Sequence, residues 1–75
     1  MMTAIGVSLV VESGEHLLAI EVKARTRPRL SDAANLRVFL SEYADRKPVA
    51  MLLHTGETTE WLAPNVLAVP WWRIL

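Results

Sequence analysis

The run His16-Leu17-Leu18-Ala19-Ile20-Glu21-Val22-Lys23-Ala24 constrains the chain most. It reads as an inner β-strand, apolar until it sets one carboxylate and one ammonium two residues apart. Side chains alternate across a strand, so Glu21 and Lys23 share a face with Leu17 and Ala19, while Leu18, Ile20 and Val22 line the other. On that pattern one face is core and the other carries charge.

The surrounding chain supplies partners for this strand. Residues Ala4 to Glu12 are rich in Val, Ile and Leu and end at Ser13-Gly14, a pair suited to a tight hairpin, which makes the first two strands antiparallel neighbours. With that turn Val10 faces Leu17, Ser8 faces Ala19 and Gly6 faces Glu21, and Ser8 lies diagonal to Glu21 on the same face. After Ala24, Arg25-Thr26-Arg27-Pro28-Arg29-Leu30 is a connector, because Pro28 stops regular pairing. Ser31 is then a suitable N-cap, and Asp32 sits where the helix dipole favours an acid. Ala33, Leu36, Phe39, Leu40 and Tyr43 recur at helical spacing, predicting an amphipathic helix from Asp32 to about Ala44 that covers one face of the sheet. Pro48 to His54 is a third strand, ended by Thr55-Gly56-Glu57, and a strand–helix–strand unit normally makes a right-handed crossover that leaves it parallel to the Glu21 strand. Thr58 to Leu62 is a weak edge strand. Pro64-Asn65 turns the chain into Val66 to Val69, and Pro70 ends that strand before Trp71-Trp72-Arg73-Ile74-Leu75.

Length and composition limit the alternatives. A chain of 75 residues holds one domain, residues 1–75, and buries only about 60% of the surface its unfolded form exposes, so a homo-oligomer is expected. With 52% hydrophobic and 21% charged residues it is too apolar to be disordered and too interrupted by charge to span a membrane. Eight basic residues balance eight acidic ones, so no global field draws nucleic acid, and any such attraction must be local. The absence of cysteine removes disulfides, thiolate metal sites and thiol nucleophiles. The apolar start lacks a basic leader region, and the expected location is the cytoplasm.

Glu21 and Lys23 are the chemically pointed pair. At the end of a buried strand the carboxylate can hold a hard divalent cation and the lysine can position or help deprotonate a water; the alternative is an ion pair left over from an active ancestor. The tripeptide alone is weak, turning up by chance about once in 150 residues. Lys23, Arg25, Arg27 and Arg29 fall at every second residue, so an extended segment aligns them beside Glu21 as a strip for nucleic-acid phosphates; the alternative is a solvated loop. His54 could act as base or ligand, but a single histidine is more commonly a surface or interface residue. Trp61, Trp71 and Trp72 are more aromatic surface than so small a core readily hides, and point to a dimer or docking surface, or else to rings packed over the open end of the sheet.

Taken together, Val7-Ser8-Leu9-Val10-Val11-Glu12, Leu18-Ala19-Ile20-Glu21-Val22-Lys23-Ala24, Leu30-Ser31-Asp32-Ala33, Leu53-His54-Thr55-Gly56-Glu57 and Val66-Leu67-Ala68-Val69-Pro70 resemble, in order and spacing, the (D/E)xK restriction-endonuclease-like C-terminal domain of a prokaryotic AAA+ ATPase family. The resemblance implies an α/β fold: a mixed sheet of four or five strands with an N-terminal antiparallel hairpin, one β-α-β crossover, and one main helix on one face. It also implies magnesium at Glu21 and catalysis by Glu21 and Lys23 if the domain is active. This chain departs from the pattern at Ser8, where the family usually has a metal-binding Asp, and lacks the ATPase domain and the helix, strand and acid that normally precede the hairpin. The first expectation is therefore a degenerate, inactive domain, truncated and free-standing, that needs no cofactor and associates with itself, an ATPase or nucleic acid. The second is a magnesium-dependent DNA endonuclease whose site is completed across a dimer by an acid such as Asp32 or Glu57. The third is a gene fragment that folds and does little.

Overall fold

The computed structural model describes residues 7–74. Its elements run β1 (Leu9–Ser13), β2 (His16–Val22), a 3-10 turn (Leu30–Ala33), α1 (Ala34–Glu42), a 3-10 turn (Ala44–Arg46), β3 (Val49–His54), β4 (Glu60–Ala63), β5 (Val66–Pro70) and a last 3-10 turn (Trp71–Arg73). The five strands form one mixed sheet in the order β1-β2-β3-β5-β4. Strands β1 and β2 are the antiparallel hairpin, β2 and β3 are parallel across α1, β5 is parallel to β3, and β4 is an antiparallel edge strand. The expected fold class is the observed one. No helix among the described residues is long and apolar enough to cross a membrane.

The hairpin turn is Gly14-Glu15 rather than Ser13-Gly14. Gly14 has φ +60, the left-handed conformation that a primed two-residue turn asks of its first central residue. Ser13 then joins the strand opposite His16, and Val10 pairs with Ala19 instead of Leu17. A shift of two residues leaves every side chain on its own face. The expected start of the strand at Ala4 and the pairing of Gly6 lie outside the described residues.

The helix also begins differently. Ser31 does not cap it; instead the Asp32 carboxylate reaches back to accept the Arg29 backbone N–H at 2.8 Å, and a 3-10 turn precedes the α-helix proper. The apolar stripe is as expected: Ala33, Leu36 and Phe39 are fully buried, with Leu40 and Tyr43 packed against them. Past the helix, Lys47 takes the left-handed conformation at φ 47 before Pro48 starts the run into β3. Arg46 ties this end to the hairpin, donating to Glu12 at 2.6 Å and to the Glu15 carbonyl at 3.2 Å. Glu12 and Glu15 thus make long-range contacts within the chain.

The assignment of faces is the main correction. The helix covers the face of Leu17, Ala19 and Glu21, not the wholly aliphatic face of Leu18, Ile20 and Val22. Ala19, Ala50 and Ala68 are completely buried on three neighbouring strands and form a low floor. Bulky Leu36 and Phe39 fit over such a floor at close-packed density. The aliphatic face is covered only in part: Leu53 and Val69 on it are buried, but Leu9 and Val22 are 42% and 60% exposed.

Candidate functional site

Glu21 and Lys23 sit at the carboxyl end of β2, where the parallel pairing with β3 continues past the strand: Lys23 N donates to Leu53 O at 2.8 Å, and Thr55 N donates to Arg25 O at 2.9 Å. Glu21 is 3% exposed, beside Leu52 of β3 in register. Lys23 Nζ lies 3.3 Å from Glu21 Oε2, with the lysine side chain about one third open to solvent. The other carboxylate oxygen, Oε1, is buried and has no hydrogen-bond partner among the described residues. A buried charge with one lone cation and one unpaired oxygen is costly to keep.

On the neighbouring strand the hairpin register, continued by one residue, sets Ser8 directly opposite Glu21. Ser8 N donates to Ile20 O at 2.9 Å, and its hydroxyl Oγ accepts a long bond of 3.4 Å from Val22 N. The serine therefore turns to the backbone of β2. Asp32, expected as a completing acid, is occupied on both oxygens, by Arg25 Nε at 3.0 Å and by the Arg29 backbone N–H. Glu57 is exposed on the turn after β3. No group of three or more potential His, Asp or Glu ligands occurs among the described residues. The donor set does not fit a magnesium ion, which wants several oxygen ligands in near-octahedral geometry. The partner that Glu21 does have among the described residues is a cation, Lys23.

The arginines line one open cleft but do not continue the alternation of β2. Arg25 N donates back to Lys23 O at 2.9 Å, a three-residue turn, and the chain bends again at Thr26-Arg27. The alternation that put Arg25, Arg27 and Arg29 on the Glu21 face holds only for an extended segment. Arg25 is instead neutralised by Asp32, while Arg27 and Arg29 are exposed on the rim of an open cleft lined by residues 24–29.

His54 is the residue that sequence reasoning misplaced. It is 1% exposed, not a surface group. Its Nδ1 accepts the Gly56 N–H at 3.0 Å and its Nε2 lies 2.9 Å from Thr58 O, in position to donate to it, so the ring staples the turn after β3. A Cβ at Gly56 would overlap the Thr26 carbonyl, and only glycine lets the two loops meet. The cue was present in the sequence as His-x-Gly at a strand end.

The three tryptophans separate. Trp72 donates through Nε1 to Gly56 O at 3.2 Å and lies under the Arg73 guanidinium at 5.1 Å. Arg73 in turn donates to Thr59 Oγ1 at 2.6 Å. Trp72 thus packs over the loop at the end of the sheet, with about half its surface open; Trp71 is equally exposed. Trp61 stands opposite Leu67 and is 64% exposed on the aliphatic face. No family model, curated protein or solved structure matches this chain.

Proposed function

We propose that this chain is a degenerate nuclease-fold domain that no longer cuts and acts by association, with itself, with an ATPase or with nucleic acid, in the cytoplasm. The observation that carries this reading is the company of Glu21, one lysine and a serine turned to the backbone, while Asp32, the expected completing acid, is already held by the Arg25 guanidinium and the Arg29 backbone N–H. The order of hairpin, crossover helix and parallel strand, with Glu21-x-Lys23 at the end of β2, is in keeping with the restriction-endonuclease-like resemblance. A fold of that kind does not carry an activity without its site.

One observation favours the second reading, a magnesium-dependent DNA endonuclease completed across a dimer. The unpaired Glu21 Oε1 is an oxygen that a cation could use if another chain brought an acid to it. Calorimetric titration with manganese, which suits the same carboxylate and water ligands as magnesium, separates the two. The degenerate domain binds no manganese while remaining folded. Micromolar binding that Glu21→Ala abolishes would overturn the inactive reading and make a nuclease assay the next step.

A further inference from the structure

We propose that the face of the sheet opposite α1 is the contact surface of a homodimer, in which two copies of the chain pack sheet against sheet. The proposal rests on the association reading above and names its partner. Leu9, Val11, Val22, Val49 and Trp61 stand on this face across four of the five strands, each between 41% and 64% exposed. Ile20 and Met51 lie between them, half-buried by their neighbours alone. Isolated exposed aliphatics are ordinary; a contiguous sheet of them is not.

Charge and area favour a second copy as the occupant. The strand positions on this face, from Leu9 to Val69, hold no Asp, Glu, Lys or Arg; Glu12, Glu21 and Glu60 all project to the opposite side. An isologous contact sets each patch against itself, so any net charge on it would be doubled across the interface. A face without carboxylate, ammonium or guanidinium groups on its strands avoids that repulsion, and its basic neighbours, His16 and Lys47, are confined to the hairpin end beside Val11 and Val49. Five strands spaced about 4.8 Å apart and about five residues long span a footprint of about 24 by 17 Å. With side-chain relief this is about 600 Å² of accessible surface per copy, or about 1,200 Å² between two, the lower bound for a stable interface. Two twisted sheets then stack about 10 Å apart with their strands at about 30°, giving each chain the second covered face that one helix cannot provide.

The test is the mass in solution, by light scattering on the eluting protein at about 100 μM, where a micromolar Kd leaves nearly all of it paired. The wild type is expected at twice the 8.4 kDa of the chain. Val22→Glu and Val49→Glu are expected to elute as folded monomers, and Val38→Glu, on the exposed side of α1, as a dimer. Should the glutamates prevent folding, the triple variant Val11→Thr, Val22→Thr, Val49→Thr keeps side-chain shape and strand preference and is expected to weaken dimerisation at least tenfold. A monomeric wild type overturns the homodimer, and leaves association with an ATPase or nucleic acid to be assayed separately by pull-down with those two components. A dimer that neither set of substitutions weakens also overturns the proposal, because the chain then self-associates through another surface.

Discussion

Replacing Glu21 by Met is expected to make the protein more stable, although it removes an ion pair. Three contributions decide the sign. The unpaired, buried Oε1 costs about 1–3 kcal/mol in lost hydration, and its removal returns that amount. A thioether of similar length, placed beside Leu52 at a position 3% exposed, adds apolar burial at about 0.8 kcal/mol per methylene equivalent. Against these stands the attraction to Lys23 at 3.3 Å, which is weakened because the lysine is about one third solvent-exposed and is worth at most about 1 kcal/mol. The balance is a gain of about 1–3 kcal/mol, and in a domain of this size each kcal/mol moves Tm by about 4–8 °C. Lys23→Met works in the opposite direction, leaving a buried carboxylate without its cation and lowering stability by about 1–3 kcal/mol. Combining the two should restore the stability of Glu21→Met alone, since the second loss exists only while the carboxylate is present. Urea melts of the four proteins followed by circular dichroism, with the oligomeric state held constant, measure all of this. A fall of 1 kcal/mol or more for Glu21→Met would refute the reasoning, for it would mean that Oε1 is satisfied by a group beyond those described.

Two further substitutions test the scaffold. Lys47→Gly relieves a left-handed backbone at φ 47 and gives up only a pair with Glu15 that is mostly exposed on both sides, so the urea midpoint should rise by the equivalent of about 0.5–1 kcal/mol; a lower midpoint would refute the strain. His54→Leu keeps the volume but strips the Gly56 N–H of its acceptor, and should cost about 1–3 kcal/mol in the same assay, an unchanged midpoint being the result against a stapling role.

Much of the architecture was legible because several signals agreed at each element. The hairpin glycine, the proline-broken connector, the stripe from Ala33 to Tyr43 and the apolar run into His54 all specify one topology, as a consistent sequence should. The covered face was not legible, because β2 is apolar on both sides except at Glu21 and alternation cannot say where a single helix will lie. What decided it was size: Ala19 pairs with Ala50, and Ala68 stands one step along the same face opposite Leu52, so only the register gathers the three small residues into a floor. The candidate site was half legible. Ser8 and Glu21 came together even though the turn had been placed one residue early, because a two-residue register error preserves the face. The alternation of the arginines does not hold because period-two reasoning stops at the end of the strand, and the segment beyond it bends at Ala24 and again at Thr26-Arg27, though it still sets Arg25, Arg27 and Arg29 around one cleft.

The meeting of Gly56 with the Thr26 carbonyl has a consequence for reading variation in this chain. At that position even a methyl group has no room, because the obstacle is main chain and cannot rotate away. A library of random substitutions would therefore return glycine there almost without exception, and the same selection would hold His54 beside it. Two invariant positions next to a conspicuous Glu-x-Lys invite the reading that all four belong to one reactive centre. Here the glycine and the histidine would persist because two loops touch, and they would persist equally in a protein that catalyses nothing.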